Sequence, residues 1–457
     1  MTTQSFEEYM AEFEAQLAQY IPPRQAWTPA DEALYGPRDL FHVPIGEAEA
    51  LRFKAIRFAF DHHYKHNATY RGFCQEHGIS PADIRATEDL ERIPLVPDRF
   101  FKDYPAGREF AIWLGNIFTG DLPRVVIKNK TPSFEEVVSA FNAAGLVVAY
   151  SSGTGGRHTV IPRDRRTYMA SQYAAAKSGA TMLYPGWTHD AYGYLLMPNP
   201  KKTNVFAGKV CGVYFDTIRD VQVAIDRDIS AEQVRMAMSG QKSLRATLFR
   251  LAARLTSRRM VDKIIRWLGR HHASGSMIAL VGAPFLIMTV MNRLQEQGRS
   301  FDFSERGAVL TGGGWKVYED DRVPVSDFRR QVKEVLGIQE IHCLDVYGMV
   351  EGNGWMIHCP EGHYLHVPHS YYQPLVLDDE YKSLGYGQWG RFAFLDAAAM
   401  SYPGFVITGD VVRLLEHCPV CDRIGPVLEP EVRRGAGEDL RGCAEEVRRM
   451  VAIDVGG

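Results

Sequence analysis

Four short segments of this chain combine glycine with hydroxyl, acidic or basic side chains. Segment 150–157 reads Tyr-Ser-Ser-Gly-Thr-Gly-Gly-Arg, and segment 311–316 reads Thr-Gly-Gly-Gly-Trp-Lys. Segment 345–351 is Asp-Val-Tyr-Gly-Met-Val-Glu, and segment 401–410 begins Ser-Tyr-Pro-Gly-Phe and ends Thr-Gly-Asp. Glycine loops with hydroxyl groups can hold phosphates, and a carboxylate can bring a divalent metal. The four segments together predict chemistry on a nucleoside triphosphate.

The first segment suits phosphate groups because glycines let the backbone approach closely and hydroxyls add donors. It follows a predicted strand, as a phosphate-binding loop should, but it is not the G-x-x-x-x-G-K-[ST] motif of P-loop enzymes. A plain surface turn remains the alternative. The residues predicted to contact phosphates are Ser151, Ser152, Gly153, Thr154, Gly155 and Gly156.

The second segment follows a predicted strand at 308–310 and contains Gly312, Gly313 and Gly314. Three successive glycines carry an entropy cost, and they leave room for a flat base or an adenylate against the backbone. Lys316 could then reach a phosphate or carboxylate oxygen. The alternative is a tight turn with a solvated lysine.

The third and fourth segments add an aromatic ring and two acids. Tyr347, in a loop with Gly348, could stack on adenine, and Glu351 could hold Mg²⁺. Asp410 is a natural acceptor for ribose hydroxyls, with a turn aspartate as the alternative. These groups are what an enzyme needs to make an acyl-adenylate from a carboxylic acid and ATP, since that reaction requires neutralised phosphate charge and an aligned carboxylate.

Composition sets broad limits on the class of protein. The chain has 457 residues, is 46% apolar and has a formal net charge of -3, which favours a large folded core and argues against a dedicated nucleic-acid binder. The first twenty residues lack the basic region and apolar run of a secretory signal. The longest apolar run, 277–291, is too short to cross a bilayer. We therefore expect a cytoplasmic protein without a transmembrane segment.

The pattern along the chain predicts an α/β fold with mixed sheets. Residues 1–105 have helical spacing, and 106–410 alternate short apolar runs with helical patterns, for example 278–281 followed by 285–295. A helical pattern also covers 325–336, and the apolar run 341–346 after it predicts a strand. We expect a helical N-terminal layer, an α/β core and a short C-terminal subdomain at 411–457. Functional residues should lie in the loops at strand ends.

One stretch, 242–272, is strongly basic, with nine Lys or Arg residues and one acid. Its leucines at helical spacing predict a helix that packs on the core and exposes a solvated basic face. Docking of an acidic partner or a membrane surface is the alternative.

The ordered set of strings resembles the acyl-protein synthetase (LuxE-type) family, which is related to phenylacetate-CoA ligases and the wider adenylate-forming superfamily. The strings are Ser-Ser-Gly-Thr, Gly-Ala-Pro-Phe at 282–285, Thr-Gly-Gly-Gly-Trp-Lys, Tyr-Gly-Met-x-Glu and Ser-Tyr-Pro-Gly-Phe. The resemblance covers about 90–445. It implies an adenylate-forming large domain, formation of acyl-AMP from a fatty acid, and hand-off to a partner reductase. Two features depart from the pattern: Gly155 stands where a second threonine is usual, and 242–272 resembles an insertion.

The cysteines suggest two roles. Cys418 and Cys421 have the spacing of a metal knuckle, and Cys359 and His366 could supply two further ligands, so thiolates with imidazole favour Zn²⁺. His358, His363 and His417 are rival ligands. A redox pair or two ordinary thiols are the alternatives. The zinc would be structural.

Cys443 lies near the C-terminus, beside Arg441, which would favour its thiolate. Only 47 residues follow Asp410, where adenylate-forming enzymes usually have a lid of a hundred or more. The resemblance implies that this cysteine is the acylated position. An inert surface thiol is the alternative. Two other functions remain open: direct transfer to CoA or to the phosphopantetheine of a carrier protein, and an inactive scaffold.

Overall fold

The computed structural model describes residues 4–151, 157–185, 189–226, 244–314 and 322–435, with backbone only over 244–257 and at 434. The α-helices are α1 Phe6–Gln16, α2 Pro29–Tyr35, α3 Ile45–His66, α4 Ala68–Glu76, α5 Arg108–Ile117, α6 Phe134–Ala143, α7 Arg165–Leu183, α8 Phe206–Val210, α9 Tyr214–Thr217, α10 Leu244–Ala273, α11 Pro284–Glu296 and α12 Val325–Leu336.

The strands divide between one large sheet and one hairpin. They are β1 Val96–Pro97, β2 Val147–Tyr150, β3 Val160–Arg163, β4 Tyr192–Pro198, β5 Asp220–Ile225, β6 Ile278–Gly282, β7 Gly307–Gly312, β8 Cys343–Tyr347, β9 Met356–His358, β10 Leu365–His366, β11 Tyr372–Leu377, β12 Trp389–Asp396, β13 Phe405–Leu415, β14 Val427–Leu428 and β15 Arg433–Arg434. The large sheet runs β11-β12-β13-β14-β10-β9-β8-β7-β6-β4-β5, with β1 and β15 also paired to β13. β2 and β3 form a separate hairpin, and Tyr150 of β2 makes one further bridge to Val205.

Five neighbouring strands of the large sheet, β5-β4-β6-β7-β8, are parallel. Helices cover both faces: Val281 and Leu310 face the core shared with α7, whereas Leu280 and Val309 face a second core with α10, α11 and α12. Because β6, α11, β7, α12 and β8 follow one another along the chain, the carboxyl ends of the strands meet at one edge. The predicted segments 311–316 and 345–351 start at that edge, after β7 and β8.

Local sequence explains where several elements start and stop. Helix α6 begins with a capping box, since the side chain of Ser133 accepts from Glu136 N and the Glu136 carboxylate accepts from Ser133 N. Helix α12 ends at Gly337, which has φ +67° and whose missing side chain would lie 2.5 Å from the backbone of Asp302. Only glycine fits that closure without strain.

The N-terminal layer is mainly helical, as predicted, and it packs directly on the sheet. Buried residues from α1 to α4, such as Phe13 and Phe60, belong to the same continuous core as Leu310 and Phe405. Tyr9 Oη donates to the Ala180 carbonyl of α7 over 3.3 Å. The domain boundaries at 105 and 410 stay predictions, since the core runs through the first of them without a break.

The predicted α/β class with mixed sheets is confirmed, and most predicted elements differ by only a few residues. The helix predicted over 325–336 has those bounds. One strand was predicted too early: 340–342 form a 3₁₀ turn and β8 starts at Cys343. The apolar side chain of Ile341 favoured an earlier strand start, but in the turn this side chain is exposed and His342 is the buried residue. The basic segment is confirmed as helical, as α10. None of the helices among the described residues has the length and apolar character needed to cross a bilayer.

Candidate active site and metal centre

The loop predicted to hold phosphates starts from the β2–β3 hairpin. Ser151 N donates to the Thr159 carbonyl and Ser151 Oγ accepts from Thr159 N, both over 2.9 Å. His158 Nδ1 lies 2.7 Å from the Ser151 carbonyl. Because Ser151 Oγ is an acceptor here, its own proton can be donated toward a ligand. Residues 152–156, which carry the rest of the predicted contacts, lie outside the described residues.

Glu351 is tied to the same hairpin. Its Oε1 accepts from Thr159 Oγ1 over 2.9 Å, and the residue is 7% exposed. Burial raises the pKa of Glu351, and the positive charge of Lys102 opposes that rise. A buried carboxylate with one oxygen engaged by a hydroxyl fits a divalent cation, because Mg²⁺ takes oxygen ligands and would favour the ionised form.

The pair Asp98 and Lys102 joins this region to β13. β1 lies parallel to β13 with Pro97 opposite Ile407, so Asp98 follows next to Gly409. A side chain on Gly409 would place its Cβ 3.7 Å from Asp98 Oδ2. The Lys102 ammonium donates to the Asp98 carboxylate. Neither residue was predicted from the sequence, although an acid and a lysine four positions apart after a proline could have marked them.

Asp410 occupies a β-bulge. Arg391 pairs with Val411 and Ala393 pairs with Ile407, so residues 408–410 lie opposite a single residue of β12. Asp410 accepts at Oδ2 from Tyr347 Oη over 2.6 Å. Bulges beside functional sites redirect side chains. The turn-aspartate alternative is therefore wrong, since Asp410 is a strand residue turned by the bulge toward the loop after β8.

The glycine turn after β7 requires glycine. Gly313 and Gly314 have φ of +79° and +65°, the left-handed region that other residues rarely adopt. Gly312, the last residue of β7, pairs with Val346 of β8. Gly348 has a different cause: a Cβ there would lie 2.6 Å from the Trp355 ring. Gly348 therefore has a packing reason, besides any ligand.

A buried arginine connects the hairpin to two of the predicted strings. Arg163, at the end of β3, is fully buried and donates through Nη2 to the Val350 carbonyl and to Tyr402 Oη. The carboxylate of Asp396 accepts from the backbone N–H groups of Asn353 and Ala398. Burial raises the pKa of Asp396 to about 6. The sequence signal was a charged residue at the end of an apolar strand, which usually has a buried partner.

The structure thus links Ser151 with Glu351 through Thr159, and Tyr347 with Asp410. Gly312, Gly313, Gly314 and Gly348 lie in the loops after β7 and β8, at the same sheet edge. The predicted phosphate contact Lys316 and the pair Arg441 and Cys443 lie outside the described residues. The roles predicted for all these residues stay predictions.

The second predicted centre forms a compact cluster. One ligand atom from each of four residues lies within 4.8 Å of the others, and these residues are Cys359, His366, Cys418 and Cys421. The sulfurs of Cys359 and Cys418 are 4.0 Å apart, and Cys421 Sγ is 3.3 Å from His366 Nε2. Tetrahedral Zn²⁺ would need S–S and S–N separations of roughly 3.8 and 3.6 Å. The cluster therefore fits zinc, and His358, His363 and His417 do not take part in it.

Strand pairing brings the ligands together. Cys359 follows β9, His366 belongs to β10, and the two remaining cysteines lie in the turn between β13 and β14, which pairs with β10. A hydrogen bond between two of the thiols lowers the pKa of Cys421 and raises that of Cys359. A cation in the centre would take the place of the shared proton.

Of the remaining described cysteines, Cys74 and Cys343 are buried in the two cores, and the half-buried Cys211 packs against the first core. Burial raises the pKa of Cys74, Cys211 and Cys343 to about 12 in each case. Such thiols are poor nucleophiles because the thiolate is the reactive form.

Comparison with solved structures defines the class of protein. A 2-hydroxyisobutyryl-CoA ligase, solved in an open conformation in complex with 2-HIB-AMP and CoA, aligns with a TM-score of 0.60 at 14% identity, covering 93% of this chain and 84% of its own. The same ligase in a postadenylation state has a TM-score of 0.58. The fold is that of the adenylate-forming ligases.

Sequence comparison then identifies the family. The profile of the family described as acyl-protein synthetase, LuxE, matches residues 32–130 and 232–451, and the chain belongs to this family. A long-chain-fatty-acid–luciferin-component ligase of Vibrio harveyi is 25% identical over 401 residues, 88% of each chain. A ligase of the same name from Aliivibrio fischeri is 22% identical over 412 residues, 90% of this chain and 91% of its own.

Proposed function

We propose that this protein activates a fatty acid with ATP, forming acyl-AMP and pyrophosphate, then carries the acyl group on Cys443 to an acceptor protein. The observation that carries the proposal is the hydrogen-bonded chain from Ser151 through Thr159 to Glu351, which follows the carboxyl end of β8. Membership of the acyl-protein synthetase family and similarity to long-chain-fatty-acid–luciferin-component ligases support it.

Each step balances. A carboxylate oxygen of the acid attacks the α-phosphorus, the bond to the β-phosphate oxygen breaks, and pyrophosphate leaves. The Cys443 thiolate then attacks the acyl carbon and AMP leaves, so a thioester replaces the mixed anhydride. Acyl transfer to a thiol of the acceptor, which we expect to be a reductase or a carrier protein, completes the cycle and restores Cys443.

The chain's own groups would hold the reactants in line. The Ser151 loop and Lys316 would bind phosphate oxygens, Tyr347 would stack on the adenine ring, and Asp410 would accept from the ribose hydroxyls. Glu351 would hold Mg²⁺, which supplies charge neutralisation on the phosphates when bound. The Cys/His cluster would hold a structural Zn²⁺.

Lys102 joins this set in our proposal. The charge of the Lys102 ammonium lowers the pKa of the Glu351 carboxyl. The same ammonium donates to Asp98, which lies beside Gly409. Lys102 is therefore close to both the proposed metal position and the proposed ribose position. Its side chain is 27% exposed, enough to reach a ligand. A cation there would stabilise the negative charge that builds on the α-phosphate in the transition state. Removing one preorganised donor of this kind typically costs about 3–4 kcal/mol of transition-state stabilisation.

The test is pyrophosphate exchange followed by intact-mass measurement. Wild-type protein with ATP, Mg²⁺ and a series of fatty acids should exchange pyrophosphate and gain the mass of one acyl group, released by neutral hydroxylamine. Cys443→Ser should exchange normally and gain no mass. Cys211→Ser, which replaces a half-buried thiol whose raised pKa makes it unreactive, is the matched control and should behave as the wild type.

Other outcomes separate the alternatives. Wild-type transfer of the acyl group to CoA by Cys443→Ser would replace the covalent relay with a direct ligase. Absence of exchange with fatty, aryl and amino acids would contradict the adenylation itself and favour the scaffold.

A further inference from the structure

An apolar slot lies between α7 and the parallel sheet. Its volume is about 20 Å³, and the atoms that line it are mainly carbon. Residues from six parts of the chain line it, including Phe13, Gly179, Leu183, His189, Val281 and Leu310. A cavity of this size exceeds the space that one water needs, yet apolar walls keep such cavities dry. Its natural occupant is a hydrocarbon group.

The slot lies close to the glycine turn. Leu310 and Gly312 point to the same face of β7, because side chains alternate along a strand. Leu310 pairs with Val281, so both lining strands present this face near their carboxyl ends. A molecule joined to an adenylate at the glycine turn would therefore reach the slot with its next few carbon atoms.

Small residues on α7 create the space. Gly179 and its neighbours Ala176 and Ala180 face the sheet, where larger side chains would fill the gap. A methyl group on Gly179 would lie 3.8 Å from Leu310 Cδ2, an ordinary contact. The helix therefore tolerates a side chain at this position, which means that packing does not demand the glycine.

The N-terminal helix closes the other end. The ring of Phe13 in α1 lies 6.3 Å from that of His189, and the His189 ring stacks on Tyr9 at 5.6 Å. Phe13 is 1% exposed. These aromatic side chains form a wall that the core helices alone would not provide.

We propose that the slot receives the hydrocarbon tail of the acid and that Phe13 ends it, so the N-terminal helical layer determines the length of acyl chain that is accepted. This inference rests on the proposed adenylation. Each methylene that leaves water contributes about a fourfold change in binding or in kcat/KM, converted from roughly 0.8 kcal/mol. Removing or adding a wall atom should therefore shift the preferred chain length measurably.

The decisive variant is Gly179→Ala. The added methyl narrows the slot, so kcat/KM for pyrophosphate exchange should fall about fourfold for each methylene excluded, and the preferred saturated acid should become shorter. Phe13→Ala should shift the preference to longer acids. Gly72→Ala in α4 is the matched control, since a methyl there meets nothing within 4 Å; its chain-length profile should equal that of the wild type.

Folding and function can be separated. Phe13→Ala removes a buried ring and can destabilise the protein, so Gly179→Ala decides if that variant does not fold. Calorimetric titration of the same acids without ATP supplies the chain-length series independently of catalysis. If the wild type and Gly179→Ala had the same chain-length preference in both pyrophosphate exchange and calorimetric titration, the proposal that the slot binds the hydrocarbon tail would be wrong. Absence of exchange with a normal titration series would instead contradict the proposed adenylation and leave the slot standing.

Discussion

The Cys/His cluster and the carboxylate site both lie at strand ends, but their side chains are organised differently. In the cluster, four ligand atoms converge on one centre. They are held by the end of β9, by β10 and by the turn that leads into β14, and these three strands are paired. In the carboxylate site, Glu351 accepts from the Thr159 hydroxyl and Asp410 accepts from the Tyr347 hydroxyl, and the two acids come from different elements beside the glycine loops.

This difference indicates two roles. A converging set can be completed by a single ion, and such closed sites contribute mainly to folding. Acids that come from separate elements and lie beside glycine loops suit a substrate that arrives and leaves. Removing a group from the first region should lower stability, whereas removing one from the second should lower activity with the fold intact.

The largest expected effect is on Glu351. Glu351→Gln keeps an acceptor for Thr159 but removes the charge, so pyrophosphate exchange should fall by roughly 100- to 1,000-fold, or about 3–4 kcal/mol. Circular dichroism and melting temperature should change little. Glu380→Gln, on the exposed surface, is the control. Exchange within threefold of the wild type would remove Glu351 from the site.

The next effect concerns the cluster. One zinc per chain should be found by elemental analysis, and Cys418→Ser or a strong chelator should lower the free energy of unfolding on the order of 3 kcal/mol, if the ion is present at about a hundred times its Kd. Pyrophosphate exchange at low temperature should persist. Cys211→Ser serves again as the matched thiol control. Freshly purified protein without metal would contradict the assignment.

A smaller effect should come from Asp396, which supports the carboxylate site from within the core. Its pKa of about 6 exceeds the roughly 3.9 of an unfolded aspartate, so its contribution to stability is complete below pH 4 and is lost as the pH rises through 6. Wild-type stability relative to Asp396→Asn should therefore decline by up to ~3 kcal/mol between pH 4 and 7. The free energies of unfolding of both proteins can be measured in urea across that range. If they changed with pH in parallel, the pKa of Asp396 would not be raised.

The smallest effect should follow Tyr347→Phe. This variant lacks the hydroxyl that donates to the Asp410 carboxylate, so Asp410 loses a positioning hydrogen bond worth about 1.5 kcal/mol. We expect roughly a tenfold higher KM for ATP and a nearly unchanged melting temperature. Tyr386→Phe, at a half-exposed ring, is the control. An unchanged KM would mean that the Tyr347–Asp410 contact does not position the nucleotide.

Several features were predictable because they depend on neighbouring residues. The helix over 325–336 follows from its apolar spacing, and the positive φ angles at Gly313 and Gly314 follow from a glycine run after a strand. The cluster of Cys359, His366 and the Cys-x-x-Cys pair was also predicted, since few side chains in any chain can form a tetrahedral thiolate site.

Contacts between distant segments were not predictable. Thr159 reaches Glu351 across 192 positions, and Arg163 reaches Tyr402 across 239. Nothing in the local pattern marks either pair, because strand register and the packing of α7 decide which side chains meet. Asp98 and Lys102 were overlooked for the same reason.

The sequence by itself therefore determined the local elements, the family and the chemical types of the candidate groups, since periodicity, turns and ligand spacing are encoded over a few residues. Only the tertiary structure decided how these groups are oriented. The bulge in β13 turns Asp410 toward Tyr347, and the docking of α1 brings Phe13 to the slot beside Leu310. Both depend on non-local packing, which a linear pattern of residues does not specify.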